Sequence, residues 1–408
     1  MNHKLAAVAV IAGAVAIVGA YTLGKQQGGS APAVAPGTAG APVAQAPAAP
    51  APAAEAPREG KVGVDPTEKF THFRVGNKNV KKIYVEDGVV WVGTSGGVIR
   101  YNTRTDEFKL FDNQSGLLSN GMFYVGRIQG KITVGTYGGG MSMLDEKSGA
   151  WETYNIPEGL GDAFVYDVLE LANGDVWVAT WSGVNRVVGG KFKDPEAWEL
   201  YTVENTNGGL PNDWVYGLAA GTKGEVWLAT EGGMARFDNG KWDSWNHSKG
   251  IGASYDKVKD AIEFKNDPAK QSLHHAQQKR EMGLQDVDQA YNPNYIISLA
   301  VDADGTVWAG TWGGGLTHFD GEKWSNLTTA DGLPGNHVFM LHRDHRDRIW
   351  IGTNNGLAVK EGNGYRVMRV EEGLFNNTVF SMASTPDGGL WVGSYGGVAH
   401  IRPLAATK

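Results

Sequence analysis

The sequence contains no cysteine, and that absence removes disulfide scaffolding, thiol catalysis, haem attachment through CxxCH and cysteine zinc sites together. It also lacks any run of lysine and arginine. With a formal net charge of −7 it offers no electrostatic footprint for a phosphate backbone, so nucleic acid is not an expected partner. Neither G-x-S-x-G nor H-E-x-x-H occurs. The glycine runs at 138–140 and 313–315 lie between strand-like segments and not ahead of a helix, so they present no helix-terminal amides to a phosphate. No catalytic residue, cofactor or metal site is assigned on this reading.

Charge is absent again from Leu5 to Leu23, a stretch bracketed by Lys4 and Lys25 and about long enough to cross ~30 Å of hydrocarbon. Residues 1–25 are therefore expected to be a transmembrane signal anchor. The alternative is a secretory peptide cleaved after Val18-Gly19-Ala20. Both readings export the rest of the chain. Residues 26–62 are rich in Ala, Pro and Gly and cannot bury enough apolar surface to fold, so they read as an extended spacer. The expected location is the bacterial inner membrane, single-pass, with the remainder in the periplasm.

What is abundant is glycine, at 58 residues, and tryptophan, at 14. Both recur in register. VWVGTSGGVIRY at Val90 is echoed at Ile132, Val176, Val226, Val307, Ile349 and Leu390. From Trp91, with Thr133 standing in its place in the second copy, the spacings are 42, 44, 50, 81, 42 and 41. A period near 40–45 built from short alternating strands marks the four-stranded blades of a β-propeller. The fold class expected is all-β: a seven-bladed propeller over 63–404.

Each copy divides into an inner strand (Val80 and Ile83, Val165 and Val168, and so on), a Gly- or Asp-containing turn, the tryptophan strand, a glycine-rich hairpin, and an outer strand with aromatic pairs such as Trp198 and Tyr201. The register is shifted. The first aromatic pair, Phe70 and Phe73, precedes the first inner strand, and the last copy stops after its third strand. Lys69–Val75 is thus expected to supply the outermost strand of the last blade, removing the free edge of the ring.

The composite of aromatic outer strand, Gly-Leu loop (Gly116-Leu117, Gly159-Leu160, Gly209-Leu210, Gly332-Leu333, Gly373-Leu374), inner strand and LWVGT-x-GG resembles the two-component regulator propeller repeats, over about 63–404. The resemblance implies the extracytoplasmic sensor part of a membrane regulator; some such propellers recognise oligosaccharides. No histidine-kinase segment is found, so a sensory role implies relay to a separate signalling partner.

The residue after the Gly-Thr or Ala-Thr pair recurs around the ring as Ser95, Tyr137, Trp181, Glu231, Trp312, Asn354 and Tyr395. Stiff aromatic faces on rigidly held loops suit sugars, cations and protein hot spots. Tyr137, Trp181, Glu231, Trp312, Asn354 and Tyr395 are accordingly expected to bind a glycan, a small molecule or an envelope protein; packing over their own hairpins is the bland alternative. Replacing Trp181 and Trp312 by Ala is expected to abolish binding and spare folding.

The long spacing places a helical insertion at 252–292 on that same face, with one helix expected over Ser254–Lys265 and a second from Asp267-Pro268 to about Gly283. It reads as a lid, a docking element or an idiosyncratic loop. His274-His275 and His342-x-x-His345 lack a third ligand at metal spacing. The function expected is a membrane-tethered sensor or docking module acting in trans. A propeller enzyme of lyase or lactonase type and an envelope-complex assembly scaffold are the alternatives.

Overall fold

The computed structural model describes residues 58–403 except 66 and 363. The expected membrane segment 1–25 and nearly all of the spacer lie outside the described residues. Among the described residues no helix is long and apolar enough to cross a membrane.

Residues 165–201 illustrate how a repeat folds. The inner strand Val165–Glu170 pairs antiparallel with Val176–Thr180, that strand with Gly183–Val187, and that one with Trp198–Tyr201. Every residue of Val176–Thr180 is buried, as a β-branched strand with a sheet on each side requires. The threonine ending the tryptophan strand locks the following hairpin: Thr180 Oγ1 donates to the Gly183 carbonyl at 2.8 Å and accepts from the Ser182 amide at 3.2 Å. Thr94, Thr230 and Thr353 repeat the arrangement. Glycine closes the turn because nothing else fits. Gly233 sits at φ +128°, and a Cβ there would run into the Trp245 carbonyl oxygen.

The Gly-Leu loops are helix caps followed by plugs. A 3-10 turn such as Thr329–Asp331 ends on Gly332 in the left-handed region, and the next residue, Leu333, is buried. Leu117, Leu160, Leu210, Ile251 and Leu374 are buried in the same way.

Five sheets have four strands, and a sixth has eight. In the large sheet one long strand, Phe70–Glu86, serves twice. Phe70–Arg74 pairs with Gly397–Ile401 of the last strand, and Val80–Glu86 pairs with Val89–Thr94. The segment preceding the first inner strand thus lies against the C-terminal strand. The inner strands follow one another in chain order around an axis, and Ser381–Ser384 packs back on Phe70–Glu86.

The core is divided among the contacts between neighbouring sheets. Trp177 and Val184 of one meet Leu218 and Leu228 of the next. Between the first and last repeats, Phe73 meets Tyr101 at 4.3 Å and Trp391 at 5.8 Å, both edge-on.

Part of the expected spacer is structured. Glu59–Lys61 adds a strand alongside Glu107–Lys109, and Arg58 grips Asp112 through two 2.6 Å hydrogen bonds. A bidentate guanidinium–carboxylate contact and backbone pairing hold this stretch although its composition predicts none.

Phe73→Ala should lower unfolding free energy in urea by about 3–5 kcal/mol, the usual cost of a deleted buried aromatic. A loss below about 1 kcal/mol would mean that the contact between the two chain ends is dispensable.

Candidate functional site

The inner strands share a defect that creates the site. Register shifts occur between Val80 and Lys82, Met122 and Tyr124, Val165 and Asp167, Val215 and Gly217, Ile296 and Ser298, and Val338 and Met340. A β-bulge leaves one residue unpaired and re-aims its side chain. The bulged residues are Lys81, Phe123, Tyr166, Tyr216, Ile297 and Phe339, and with Phe380 all of them line one axial cavity of about 600 Å³, a size that suits a small organic ligand.

Rings touch one another around this layer. Phe123 meets Tyr166 at 4.5 Å, Tyr166 meets Tyr216 at 5.0 Å, Tyr216 meets Tyr295 at 5.0 Å, and Tyr295 stacks on Trp312 at 5.3 Å. Phe339 continues the arc from Trp312, and Phe380 carries it to Tyr395. Set into this apolar wall are polar atoms that find no hydrogen-bond partner among the described residues: the hydroxyls of Tyr166, Ser298 and Ser381, and Trp312 Nε1–H. Buried polar groups left without partners are costly. Burial pushes the Tyr166 and Tyr216 phenols well above the ordinary tyrosine range, so both remain O–H donors.

Charge is confined to one sector. Lys82 Nζ stands 3.6 Å from Asp167, whose carboxylate also accepts the Leu218 amide at 3.0 Å. Lys81 Nζ lies over the Phe380 ring at 5.6 Å, and burial pushes its ammonium down to about 8. Arg127, which also lines the cavity, is held by Glu86 and Glu146. His342 is kept neutral, its pKa lowered to about 4 by burial and by Lys82, and its Nε2 lies 2.9 Å from Ser384 Oγ.

The insertion is docked onto the rim. Its first helix, α1, is only Tyr255–Val258, followed by a 3-10 turn at Lys259–Ala261. The helix expected through Lys265 stops there because the chain extends to carry Phe264 to the axis, where it packs on His337, Phe339 and Trp312. Asp267-Pro268 starts a 3-10 turn, Pro268–Lys270, and the second helix, α2, begins only at Leu273 and runs to Glu281. His275 and Lys279, one turn apart on α2, are both buried. Lys279 Nζ donates to Asp267 at 2.7 Å and to the carbonyls of Val287 and Gln289 at 2.8 and 2.9 Å. His275 Nε2 is 2.8 Å and His274 Nε2 3.3 Å from the Glu231 carboxylate. Burial pushes that carboxyl up, but the two imidazoles outweigh it and hold Glu231 below the usual glutamate range.

The six residues singled out from sequence are distributed unevenly. Trp312 and Tyr395 reach the axial cavity. Glu231, 1% exposed, is the anchor for the insertion's histidines; Trp181, 8% exposed, packs between Phe164 and Trp214. Tyr137 is half-buried against Phe123 and Phe164. Asn354 exchanges hydrogen bonds with the backbone of His337. Trp181 and Trp312 are core side chains, so the expectation that alanine at these positions spares folding is corrected: each would leave a large void. The insertion helices are corrected as well, being shorter than expected for the reason given above. Sequence reasoning missed the bulge residues, although their signal was present as an aromatic directly after the first apolar residue of most inner strands. Among the described residues no group of three or more His, Asp or Glu side chains is placed to hold a metal ion.

Radial sheets around an axis, with an aromatic cavity at the centre, define a β-propeller. Its repeats at 290–313, 332–355 and 373–396 match the family model described as two component regulator propeller. No curated protein matches the chain. Among solved structures it resembles the extracellular domain of the hybrid two component system BT4673 from B. thetaiotaomicron, at 16% identity and TM-score 0.59, over 83% of this chain and 40% of that one. This chain thus spans well under half of that ectodomain. It also resembles a streptogramin B lyase, at 14% identity and TM-score 0.56, over 81% of this chain and 96% of the lyase. A third likeness is to YCF48 bound to D1 peptide, at 11% identity and TM-score 0.53, over 84% of this chain and all of YCF48. At these identities the likeness is one of fold.

Two outcomes follow from the buried ionisable groups. Glu231→Ala should leave two imidazoles facing an empty buried site and cost about 3 kcal/mol; limited proteolysis should then cut within 252–292 before the rest of the chain. His337, whose Nε2–H donates to the Ala290 carbonyl at 2.7 Å, has its pKa lowered from 6.5 to about 4 by burial. Because the unfolded chain binds that proton more readily, stability is full above pH 6.5 and falls as pH drops toward about 4. In His337→Gln, the loss between pH 7.5 and 5 in urea titrations should be smaller by roughly 2 kcal/mol.

Proposed function

We propose that this chain is an extracytoplasmic, membrane-tethered sensor or docking propeller that takes its ligand in the axial cavity, beside the docked insertion, and relays occupancy to a separate protein. The eight-stranded sheet is read as two blades sharing the strand Phe70–Glu86, which makes seven blades with the five four-stranded sheets. The N-terminal segment 1–25 serves as the anchor and the stretch after it as the spacer. The observation that carries the binding role is the layer of bulged aromatic residues around a cavity in which tyrosine, serine and indole polar atoms find no hydrogen-bond partner among the described residues. A folded chain accepts that cost where a ligand supplies the missing hydrogen bonds. The family model and the fold shared with a sensor ectodomain support the sensory assignment.

A second reading, an enzyme, draws on one observation: a neutral imidazole, His342, in the wall of the axial cavity of a fold shared with a lyase. A neutral histidine is competent as a general base. Turnover of a bound ligand that disappears in His342→Gln while binding persists would favour it.

The full-length protein, purified in detergent from its own host, should carry a small molecule detectable by native mass spectrometry. The double variant Tyr166→Phe and Tyr216→Phe keeps the rings and removes two hydroxyls, so occupancy should drop at least tenfold with little change in melting temperature. Undiminished occupancy in that variant would remove the axial site from consideration.

A further inference from the structure

One side chain in the wall of the axial cavity comes from outside the repeats. Phe264, carried by the insertion, lines the cavity together with Trp312 and Phe339, and its ring lies between 4.9 and 5.7 Å from those of His337, Phe339 and Trp312. The insertion has an apolar core of its own, in which Val258 and Tyr291 pack with Tyr255, Ile262, Leu284 and Val287. Lys279 binds it internally, through Asp267 and the carbonyls of Val287 and Gln289. Its two ends are rooted side by side on the rim. The Ala253 amide donates to the Gly314 carbonyl at 2.9 Å, His337 holds the Ala290 carbonyl at 2.7 Å, and the Tyr291 hydroxyl donates to the Ala253 carbonyl at 2.7 Å. Asn292 and Asn294, next to that root, reach Gln278 and Met282. A segment joined within itself and rooted along one side can turn as a unit. Over the axis the holding contacts are of another kind. Phe264 is half-buried and meets rings. The His274 and His275 imidazoles approach Glu231 at 3.3 and 2.8 Å without the direction of a hydrogen bond, and His274 stacks on Trp214 at 4.1 Å. Elements that move at ligand sites are drawn from segments held in this way.

We propose that the insertion is a hinged lid over the axial cavity, with Phe264 as its gate, rooted at Ala253 and Ala290 and latched shut by Glu231 against His274 and His275. This rests on the axial cavity being the binding site, as argued above, and adds how that site opens and closes. With the latch made, Phe264 fills the mouth beside Trp312; with the latch released, the mouth is free for entry. A ligand that packs against Phe264 from inside has more contact in the closed state and shifts the lid toward it. Occupancy of a buried cavity is then displayed on the rim as the position of the insertion, where a separate protein can read it.

The chain has no cysteine, so one introduced thiol reports access without background. Ile297→Cys places a thiol in the bulge layer, and Ser384→Cys places one in the same cavity at the strand end that leads into the turn Thr385–Gly389. The probe is 4,4′-dithiodipyridine, whose disulfide is attacked by the thiolate to give a mixed disulfide and release coloured thiopyridone. In the full-length protein in detergent, labelling at Ile297→Cys should speed up about tenfold with Phe264→Ala and about threefold with Glu231→Gln, as expected of a gate and its latch. Labelling at Ser384→Cys should stay within about twofold, being remote from the lid. Hydrogen exchange should show 273–281 opening as one group well before the inner strand 165–170. If Ile297→Cys fails to fold, Phe380→Cys in the same layer is read in its place; if Glu231→Gln does, His274→Ala is. Equal labelling with and without Phe264 overturns the gate. Acceleration by Phe264→Ala alone, with no response to loss of the latch, makes the insertion a fixed plug and overturns the lid. Exchange of 273–281 only together with 165–170 overturns it too. None of these readouts uses the natural ligand, so the lid can fail while the occupancy of the Tyr166→Phe and Tyr216→Phe variant upholds the axial site, and the reverse.

Discussion

Backbone pairing between Phe70–Arg74 and Gly397–Ile401 is the constraint on which the other features depend. Each sheet buries its apolar faces against two neighbours, so the first and last repeats have a partner only if the chain's ends meet. The same meeting brings Ser381–Ser384 beside Phe70–Glu86 and so completes the wall of the cavity. The pairing also explains why one strand spans two sheets. It must leave the last repeat and enter the first without a loop long enough to uncouple them.

Much of this was legible in the sequence because propeller repeats advertise themselves in residues with narrow roles. Thr94 and its counterparts lock a hairpin, Gly233 permits a left-handed turn, Gly332 caps and Leu333 plugs. Each role tolerates few alternatives, so the pattern repeats. The shifted register was readable for the same reason, since Phe70 and Phe73 are outer-strand aromatics found before any inner strand. The site was less legible. A β-bulge is a matter of pairing between strands and leaves no mark on the periodicity of one strand, so Lys81, Phe123 and Tyr166 passed as ordinary inner-strand residues. Trp181 and Trp312 stand after the hairpin threonine as expected, but nothing local tells that Trp181 packs between Phe164 and Trp214 while Trp312 reaches the axial cavity.

The insertion shows how tertiary contacts override local preference. Ser254–Lys265 has helical spacing at Val258 and Ile262, yet the helix ends early and Phe264 takes its place among Trp312, His337 and Phe339. Glu231 belongs to the same lesson. It occupies the position after the hairpin threonine in its repeat, and its partners, His274 and His275, lie outside the repeat pattern altogether. A charged residue at a position that is aromatic in four repeats and uncharged in the other two was the one sequence sign that this hairpin is built to hold something.

The adjacency of Lys69 and Arg402 has a further consequence. The Arg402 amide donates to the Lys69 carbonyl at 2.9 Å, so the ring has an opening in its sequence but none in its hydrogen bonding. Topologically, any turn between repeats is an equivalent place to begin the chain. A circular permutant joined across 69 and 402 and opened at the tip of the insertion retains every strand pairing except that of Glu59–Lys61 with Glu107–Lys109. In such a molecule the segment that now arrives from the N-terminus would arrive at the rim of the cavity, and the distance between tether and ligand site would become a variable of design.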